Sequence, residues 1–168
     1  MCIRDRDERF CSFDYRNLFP REWEDYEICT RNTVQGILEA FWAVSYTHLY
    51  LAEKMKNNDF AAWERVFAAC VNGRVAGFCT FAEKDELPEE HKFTPFIGFV
   101  FVDEPYRGKR ISELMIQSAI LYARELGYEK IYIMSGEIGL YEKYGFEKLG
   151  DYKTIYDSVD QLFVKAII

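Results

Sequence analysis

A cluster of basic side chains lies where the sequence predicts the start of a helix. Arg107, Lys109 and Arg110 fall within four residues, in a chain whose 28 acidic residues outnumber its 21 basic ones. The N-terminus of a helix offers free backbone N–H groups and the positive end of the helix dipole, and Gly108 would let the backbone approach an anion closely. The cluster therefore indicates a site for a phosphorylated ligand. A solvated basic turn that balances the two preceding acidic residues is the alternative.

A second segment, Gly139 to Phe146, combines tyrosines with glycines near the C-terminal third of the chain. Its spacing is typical of the last turn of an amphipathic helix, with Gly145 as a left-handed cap and Phe146 packing back onto that turn. Taken alone, this segment predicts local structure rather than chemistry.

The clearest local structure around these segments is a β-hairpin. Two apolar runs, 66–71 and 75–81, flank the Asn-Gly dipeptide at 72–73, which accepts positive φ at both turn positions. The almost continuous apolar run 93–102 predicts a central strand that is buried on both faces, and Gly98 within it indicates a bulge or a close backbone approach. This strand leads directly into the basic cluster.

A long helix should follow a turn over Asp103 to Arg107, and Gly127 should end it. The residues expected on its buried face are Ile111, Leu114, Met115, Ser118, Ala119 and Tyr122. The remaining elements are a strand over 130–134, a short helix over 138–144, and strands over 146–152 and 161–166.

The N-terminal third is less regular. A weak edge strand is expected over 10–15, a short helix after Pro20, and one or two helices over 33–57. The strings 1–6 and 44–49 resemble translated sequencing-adapter sequence, and we favour that interpretation over an ordinary helical segment for the second string, so His48 is given no role.

The charged loop 83–92 is interpreted as a solvated connection without a site.

The composition predicts one domain, over residues 7–168, with a dense core, since 49% of the 168 residues are hydrophobic. A net charge of -7 disfavours nucleic acid and anionic membranes as partners. The five cysteines and two histidines show no metal-ligand or disulfide spacing, so we expect reduced thiols, no metal and a cytoplasmic protein that is not exported.

The two segments together resemble the GNAT superfamily of N-acetyltransferases. An apolar strand, the sequence Asp-Glu-Pro-Tyr-Arg-Gly-Lys, a helix, a strand and then Leu-Tyr-Glu-Lys-Tyr-Gly-Phe stand in that family's order and at about its spacing. The resemblance covers 66–166 well and the N-terminal third only by the order of elements. It implies a single α/β GNAT-like domain, with a mixed, mostly antiparallel sheet that is splayed at its centre and has helices on both faces.

The resemblance also implies which residues bind the acyl donor, acetyl-CoA. The family's pyrophosphate signature is Arg/Gln-x-x-Gly-x-Gly/Ala, and Arg107 matches it, whereas Arg110 and Ser112 replace the two small residues. The backbone of the central strand would pair with the pantetheine arm as an added strand does. The residues expected to bind acetyl-CoA are Val100, Phe101, Val102, Arg107, Gly108, Lys109, Arg110, Ile111 and Ser112.

Tyr141 matches the family's tyrosine that often protonates the leaving thiolate, although a buried packing tyrosine is the alternative. The family's frequent asparagine seven residues earlier is Met134 here. Glu137 is a candidate base at the substrate mouth, and a water chain is equally compatible with the sequence. Cys70 and Cys79 are interpreted as core residues, because no partner histidine is indicated.

The function implied by the resemblance is transfer of an acetyl group from acetyl-CoA to a primary amine of a small molecule or protein, by direct attack in a ternary complex. The acidic composition loosely favours a cationic acceptor such as a polyamine, an aminoglycoside or a lysine side chain. A regulatory module that binds acyl-CoA without turnover, and an interaction domain without a CoA site, are the alternatives. Assembly into a homodimer is left open.

Overall fold

The computed structural model describes residues 3–4, 11–12, 27–29, 61–72 and 74–168 of the chain. Two short strands, β1 (Ile3–Arg4) and β2 (Cys11–Ser12), pair with each other, so β2 lies within the weak strand predicted over 10–15. The helix predicted after Pro20, the helices predicted over 33–57 and the string 44–49 lie outside the described residues.

A seven-stranded mixed sheet forms the body of the protein. Its strands are β3 (Glu27–Cys29), β4 (Arg65–Val71), β5 (Arg74–Ala82), β6 (Phe96–Val102), β7 (Lys130–Ser135), β8 (Glu147–Lys153) and β9 (Val159–Ala166). The spatial order is β3-β4-β5-β6-β7-β9-β8, and every neighbouring pair is antiparallel except β6 and β7. The predicted splayed, mostly antiparallel α/β fold is confirmed.

One helix, α1 (Ile111–Glu125), crosses from β6 to β7 and packs on β4, β5 and β6. Its buried face contains Ile111, Leu114, Met115, Ile116, Ser118, Ala119, Ile120 and Ala123, so five of the six residues predicted for this face are buried. The sixth, Tyr122, is partly buried against the core. These side chains meet Phe67, Phe81, Ile97 and Ile133 of the sheet in one apolar core. None of the helical segments in the described part combines the length and hydropathy that crossing a bilayer requires.

Two predicted elements differ from the structure. The helix expected over 138–144 is only a single 3-10 turn, Glu142–Tyr144, because Gly139 adopts a φ of 74° that a helix cannot continue through. The prediction that the central strand is buried on both faces is also wrong for its second half. Phe96 to Gly98 are buried, whereas Phe99 to Val102 are only partly buried.

The close approach of β5 and β6 depends on Gly77, which lies opposite Val102. A Cβ atom at residue 77 would lie 2.6 Å from the backbone oxygen of Phe101, so a side chain there must push the two strands apart.

We expect Gly77→Ala to lower the free energy of unfolding by about 1–3 kcal/mol, measured by urea denaturation. The matched control is Gly150→Ala in β8, whose Cβ would meet its nearest neighbour at 3.4 Å. Equal stability of the two variants would contradict this account of the close approach.

Candidate active site

The sheet opens between its two parallel strands. β6 and β7 share a single residue pair, Phe96 with Tyr132, and the Tyr132 amide donates a hydrogen bond to the Pro95 oxygen at 3.0 Å. Beyond this point β7 continues beside β9, while β6 continues beside β5 alone. Residues 98–102 of β6 therefore present one backbone edge that β7 does not occupy. An extended ligand can pair with such an edge as an additional strand would.

A bulge accompanies this divergence. The pairing of β5 with β6 shifts between Phe78 and Thr80, and Phe99 adopts a positive φ of 48°. An extra residue in one strand bends it and increases its local twist. The sequence indicated this irregularity through Gly98. This glycine lies opposite Thr80 and immediately precedes Phe99.

The open edge ends in the basic turn. Asp103 begins a 3-10 turn (Glu104–Tyr106), and its Oδ1 accepts a hydrogen bond from the Glu104 amide at 2.8 Å. The Arg107 Nε donates to the Val102 oxygen at 3.0 Å, so the guanidinium is held at the end of β6. The Lys109 ammonium lies 5.6 Å from the centre of the Tyr106 ring. Both basic residues and Gly108 are exposed, where an anionic group can reach them.

The two departures from the family signature have visible consequences. Arg110 stands where the family signature has a small residue, and its backbone adopts a left-handed φ of 57°. Its guanidinium binds the Glu113 carboxylate, with the Nη2 and Oε1 atoms 2.8 Å apart. This ion pair partly neutralises the charge of Arg110 at the start of the helix. The Ser112 hydroxyl forms a hydrogen bond of 2.9 Å with the Tyr144 hydroxyl, which ties the start of α1 to the second tyrosine segment.

Tyr141 lies at the other side of the opening. It is only 4% exposed, and its ring packs against Phe163 with the ring centres 5.5 Å apart. The side chain of Ser135, the last residue of β7, lies next to its hydroxyl. Desolvation is the main cause that raises the pKa of Tyr141 to about 12, so the hydroxyl keeps its proton at neutral pH and can donate a hydrogen bond.

The remaining residues singled out by the sequence are placed less centrally. Glu137 is exposed, and its charge raises the pKa of Tyr141, so it lies on the Tyr141 side of the opening. Met134, which replaces the family's asparagine, is buried in a small apolar cluster. Cys70 and Cys79 are buried and form no disulfide within the described residues, and burial raises the pKa of the Cys79 thiol, which disfavours the nucleophilic thiolate.

Sequence reasoning missed Asp85, which lies in the loop that was interpreted as a solvated connection. The structure brings its carboxylate against Gly98, at the point where the sheet opens. The sequence carries no signal for this contact, because it depends on the pairing of β5 with β6.

The chain matches a known protein family but no curated sequence. A sequence model described as the acetyltransferase (GNAT) family matches residues 16–146. No curated protein sequence matches the chain significantly.

Solved structures share the fold at low sequence identity. An aminoglycoside 6'-acetyltransferase of type Ii is 16% identical, with a TM-score of 0.65 over 84% of this chain and 97% of that one. An N-acetyltransferase from Staphylococcus aureus Mu50 is 20% identical, with a TM-score of 0.61 over 86% of this chain and 100% of that one. A protein named as a streptothricin acetyltransferase from Bacillus anthracis, solved with acetyl coenzyme A, is 19% identical, with a TM-score of 0.51 over 62% and 63%.

The left-handed conformation of Arg110 can be tested by a matched pair of substitutions. Arg110→Gly and Arg110→Val both remove the guanidinium and its ion pair with Glu113, but a β-branched residue tolerates a φ of 57° poorly. We expect the valine variant to be less stable than the glycine variant by about 1–2 kcal/mol in urea denaturation. Equal free energies of unfolding for the two variants would contradict this prediction, because residue 110 could then adopt another φ without loss of stability.

Proposed function

The chain belongs to the GNAT family of acetyltransferases, and we propose that it transfers the acetyl group of acetyl-CoA to a primary amine by direct attack within a ternary complex. The observation that carries this proposal is the open edge of β6, which runs from the point of divergence into the exposed basic turn. One continuous surface thus offers backbone hydrogen bonds along its length and cationic groups at its end.

The donor would bind along this surface. The pantetheine arm would pair with the backbone of Val100 to Val102, and the phosphates would meet Arg107, Lys109 and the backbone N–H groups at the start of α1. From Val102 back to Gly98 the strand spans about 13 Å, at about 3.3 Å per residue. The thioester end of an extended arm would therefore reach the place where β6 and β7 diverge.

Tyr141 would assist departure of the thiolate. Acyl transfer from a thioester needs a neutral amine nucleophile and a proton for the leaving sulfur, with the reactants held in attack geometry. The buried hydroxyl keeps its proton at neutral pH, so it can act as a donor toward a sulfur in the opening. No covalent intermediate on the protein is needed, which agrees with the interpretation of the buried cysteines as core residues.

The acceptor is proposed to be a cationic primary amine, of a small molecule or of a protein. The net charge of -7 favours encounter with cations in general. One protein of the same fold is named as an aminoglycoside acetyltransferase, which makes an aminoglycoside a reasonable member of a test panel. We propose the cytoplasm as the setting, and the absence of a disulfide between the two cysteines of the described part is compatible with it.

Binding and turnover of acetyl-CoA test this function directly. Saturation at a hundred times the dissociation constant should stabilise the fold by about 2.7 kcal/mol and raise the melting temperature. CoA should be released with at least one of spermidine, kanamycin and Nα-acetyl-lysine amide. Stabilisation without release would favour the regulatory module, and the lack of both would contradict the proposal.

The basic turn should contribute mainly to binding of the phosphates. We expect Arg107→Ala and Lys109→Ala to weaken CoA binding, measured by calorimetry, far more than binding of a pantetheine fragment without phosphates, because only CoA carries anionic groups for them to meet. The matched control is Lys148→Ala in β8, at the edge of the sheet, which also removes one positive charge and should leave both affinities unchanged. Equal losses for CoA and the fragment would indicate that the turn is only a solvated surface.

The role of Tyr141 can be separated from its packing. Tyr141→Phe keeps the buried ring and removes only the hydroxyl, so we expect kcat to fall by about 10²-fold or more with little change in CoA affinity. Tyr144→Phe is the matched control, since Tyr144 lies three residues after Tyr141 and its hydroxyl is bonded to Ser112 instead. We expect that control to lose stability and keep most of its kcat. Normal kcat in Tyr141→Phe would remove this residue from the mechanism.

A further inference from the structure

The carboxylate of Asp85 lies against the backbone of the central strand where the sheet opens. Its Oδ1 accepts a hydrogen bond of 2.9 Å from the Glu86 amide. Its Oδ2 lies 3.1 Å from the position that a Cβ atom of Gly98 would occupy, and the Thr80 Oγ1 lies 3.2 Å from the same position. The carboxylate can occupy this place because residue 98 has no side chain.

Asp85 and Tyr141 lie on opposite faces of the sheet. Side chains alternate along a strand, so Gly98 shares a face with Phe96, whereas Ile97 belongs to the α1 face, whose core contains Tyr141. The Oδ2 of Asp85 is on the Gly98 face. An acyl carbon held in the opening would have the carboxylate on one side and the phenol on the other.

The charged groups that act on Asp85 are acidic. Within the described residues, the carboxylates of Glu86 and of Asp160 in β9 face it, and none of the ion pairs involves it. Desolvation is the largest cause that raises the pKa of Asp85 to about 7, opposed by the hydrogen bond from the Glu86 amide. A carboxyl group with such a pKa can both accept and release a proton near neutral pH.

We propose that Asp85 is the general base of the acetyl transfer, a role that the sequence left between Glu137 and a water chain. The inference rests on the proposed function. The acceptor ammonium gives one proton to the Asp85 Oδ2, and its nitrogen then forms a bond to the acyl carbon while the carbon–sulfur bond breaks. The sulfur takes a proton from the Tyr141 hydroxyl, which regains one from the new amide nitrogen, and Asp85 releases its proton to water. The products are an amide, CoA thiol and one proton.

The other acidic residues fit this role less well. Glu137 lies on the Tyr141 side of the opening, where its charge acts on the phenol. Glu83, two residues before Asp85 in the same loop, is exposed. Asp85 combines a shielded carboxylate with contact to the strand that would hold the donor.

The test is the pH dependence of kcat/KM for CoA release, with whichever of spermidine, kanamycin and Nα-acetyl-lysine amide the wild type turns over fastest. Wild-type kcat/KM should rise with pH and level off above about pH 7, as Asp85 loses its proton. Asp85→Asn should lower kcat/KM at pH 7 by about 10²-fold or more, with acetyl-CoA affinity unchanged. The kcat/KM of the variant should not level off near pH 7 but should keep rising toward the pKa of the amine. The difference in kcat/KM between the variant and the wild type should therefore shrink in alkaline buffer.

Glu83→Gln is the matched control and should keep the wild-type profile. A second measurement is independent of the acceptor. Because the native state binds the Asp85 proton more tightly than the unfolded chain does, the contribution of Asp85 to stability falls as pH rises from about 4 to 7. Asp85→Asn should therefore raise the melting temperature at pH 8 and not at pH 4, which also shows that the variant folds.

The outcomes separate the two proposals. An Asp85→Asn variant that keeps wild-type kcat/KM at pH 7, or that retains the limb near pH 7, overturns the assignment of Asp85 and leaves acetyl transfer intact. A uniform loss of kcat/KM at every pH also overturns it, because that loss indicates a structural role. A wild-type protein that releases no CoA with any of the three amines contradicts acetyl transfer to amines, and the base role with it.

Discussion

The separation of β6 from β7 after a single residue pair is the constraint on which the rest of the site depends. Neighbouring parallel strands in a sheet normally form backbone hydrogen bonds with each other along their whole length. Here the pairing ends at Phe96 and Tyr132, so the second half of β6 keeps an edge that β7 leaves open. That edge points from the acidic loop at Asp85 to the basic turn at Arg107. Binding and chemistry are thus arranged along one strand.

Two of the four non-glycine residues with positive φ in the described part lie where this strand and the following turn change direction. Phe99 and Arg110 both adopt positive φ, although neither is a glycine. Such residues persist only where the surrounding structure determines their conformation. The helix α1, anchored by Ile111 and Met115 in the apolar core, provides that support directly after the turn. The core therefore supports the end of a segment that pairs on one side only, with β5.

Local patterns in the sequence predicted the elements, and pairing between elements determined the rest. The Asn-Gly dipeptide at 72–73 and the helical spacing after residue 111 were sufficient to predict the hairpin and α1. The short helix over 138–144 was wrong, because Gly139 outweighed the apolar spacing around it. Asp85 could not be recognised, since its contact with Gly98 arises from the register of β5 against β6.

Amide hydrogen exchange with and without CoA tests the role of the open edge most directly. If the pantetheine arm pairs with β6, exchange within residues 98–102 should slow on binding, together with the amides at the start of α1. The outer strand β8 should exchange at the same rate in both states. Binding of CoA that leaves exchange at 98–102 unchanged would contradict the account, because the donor would then lie elsewhere on the protein.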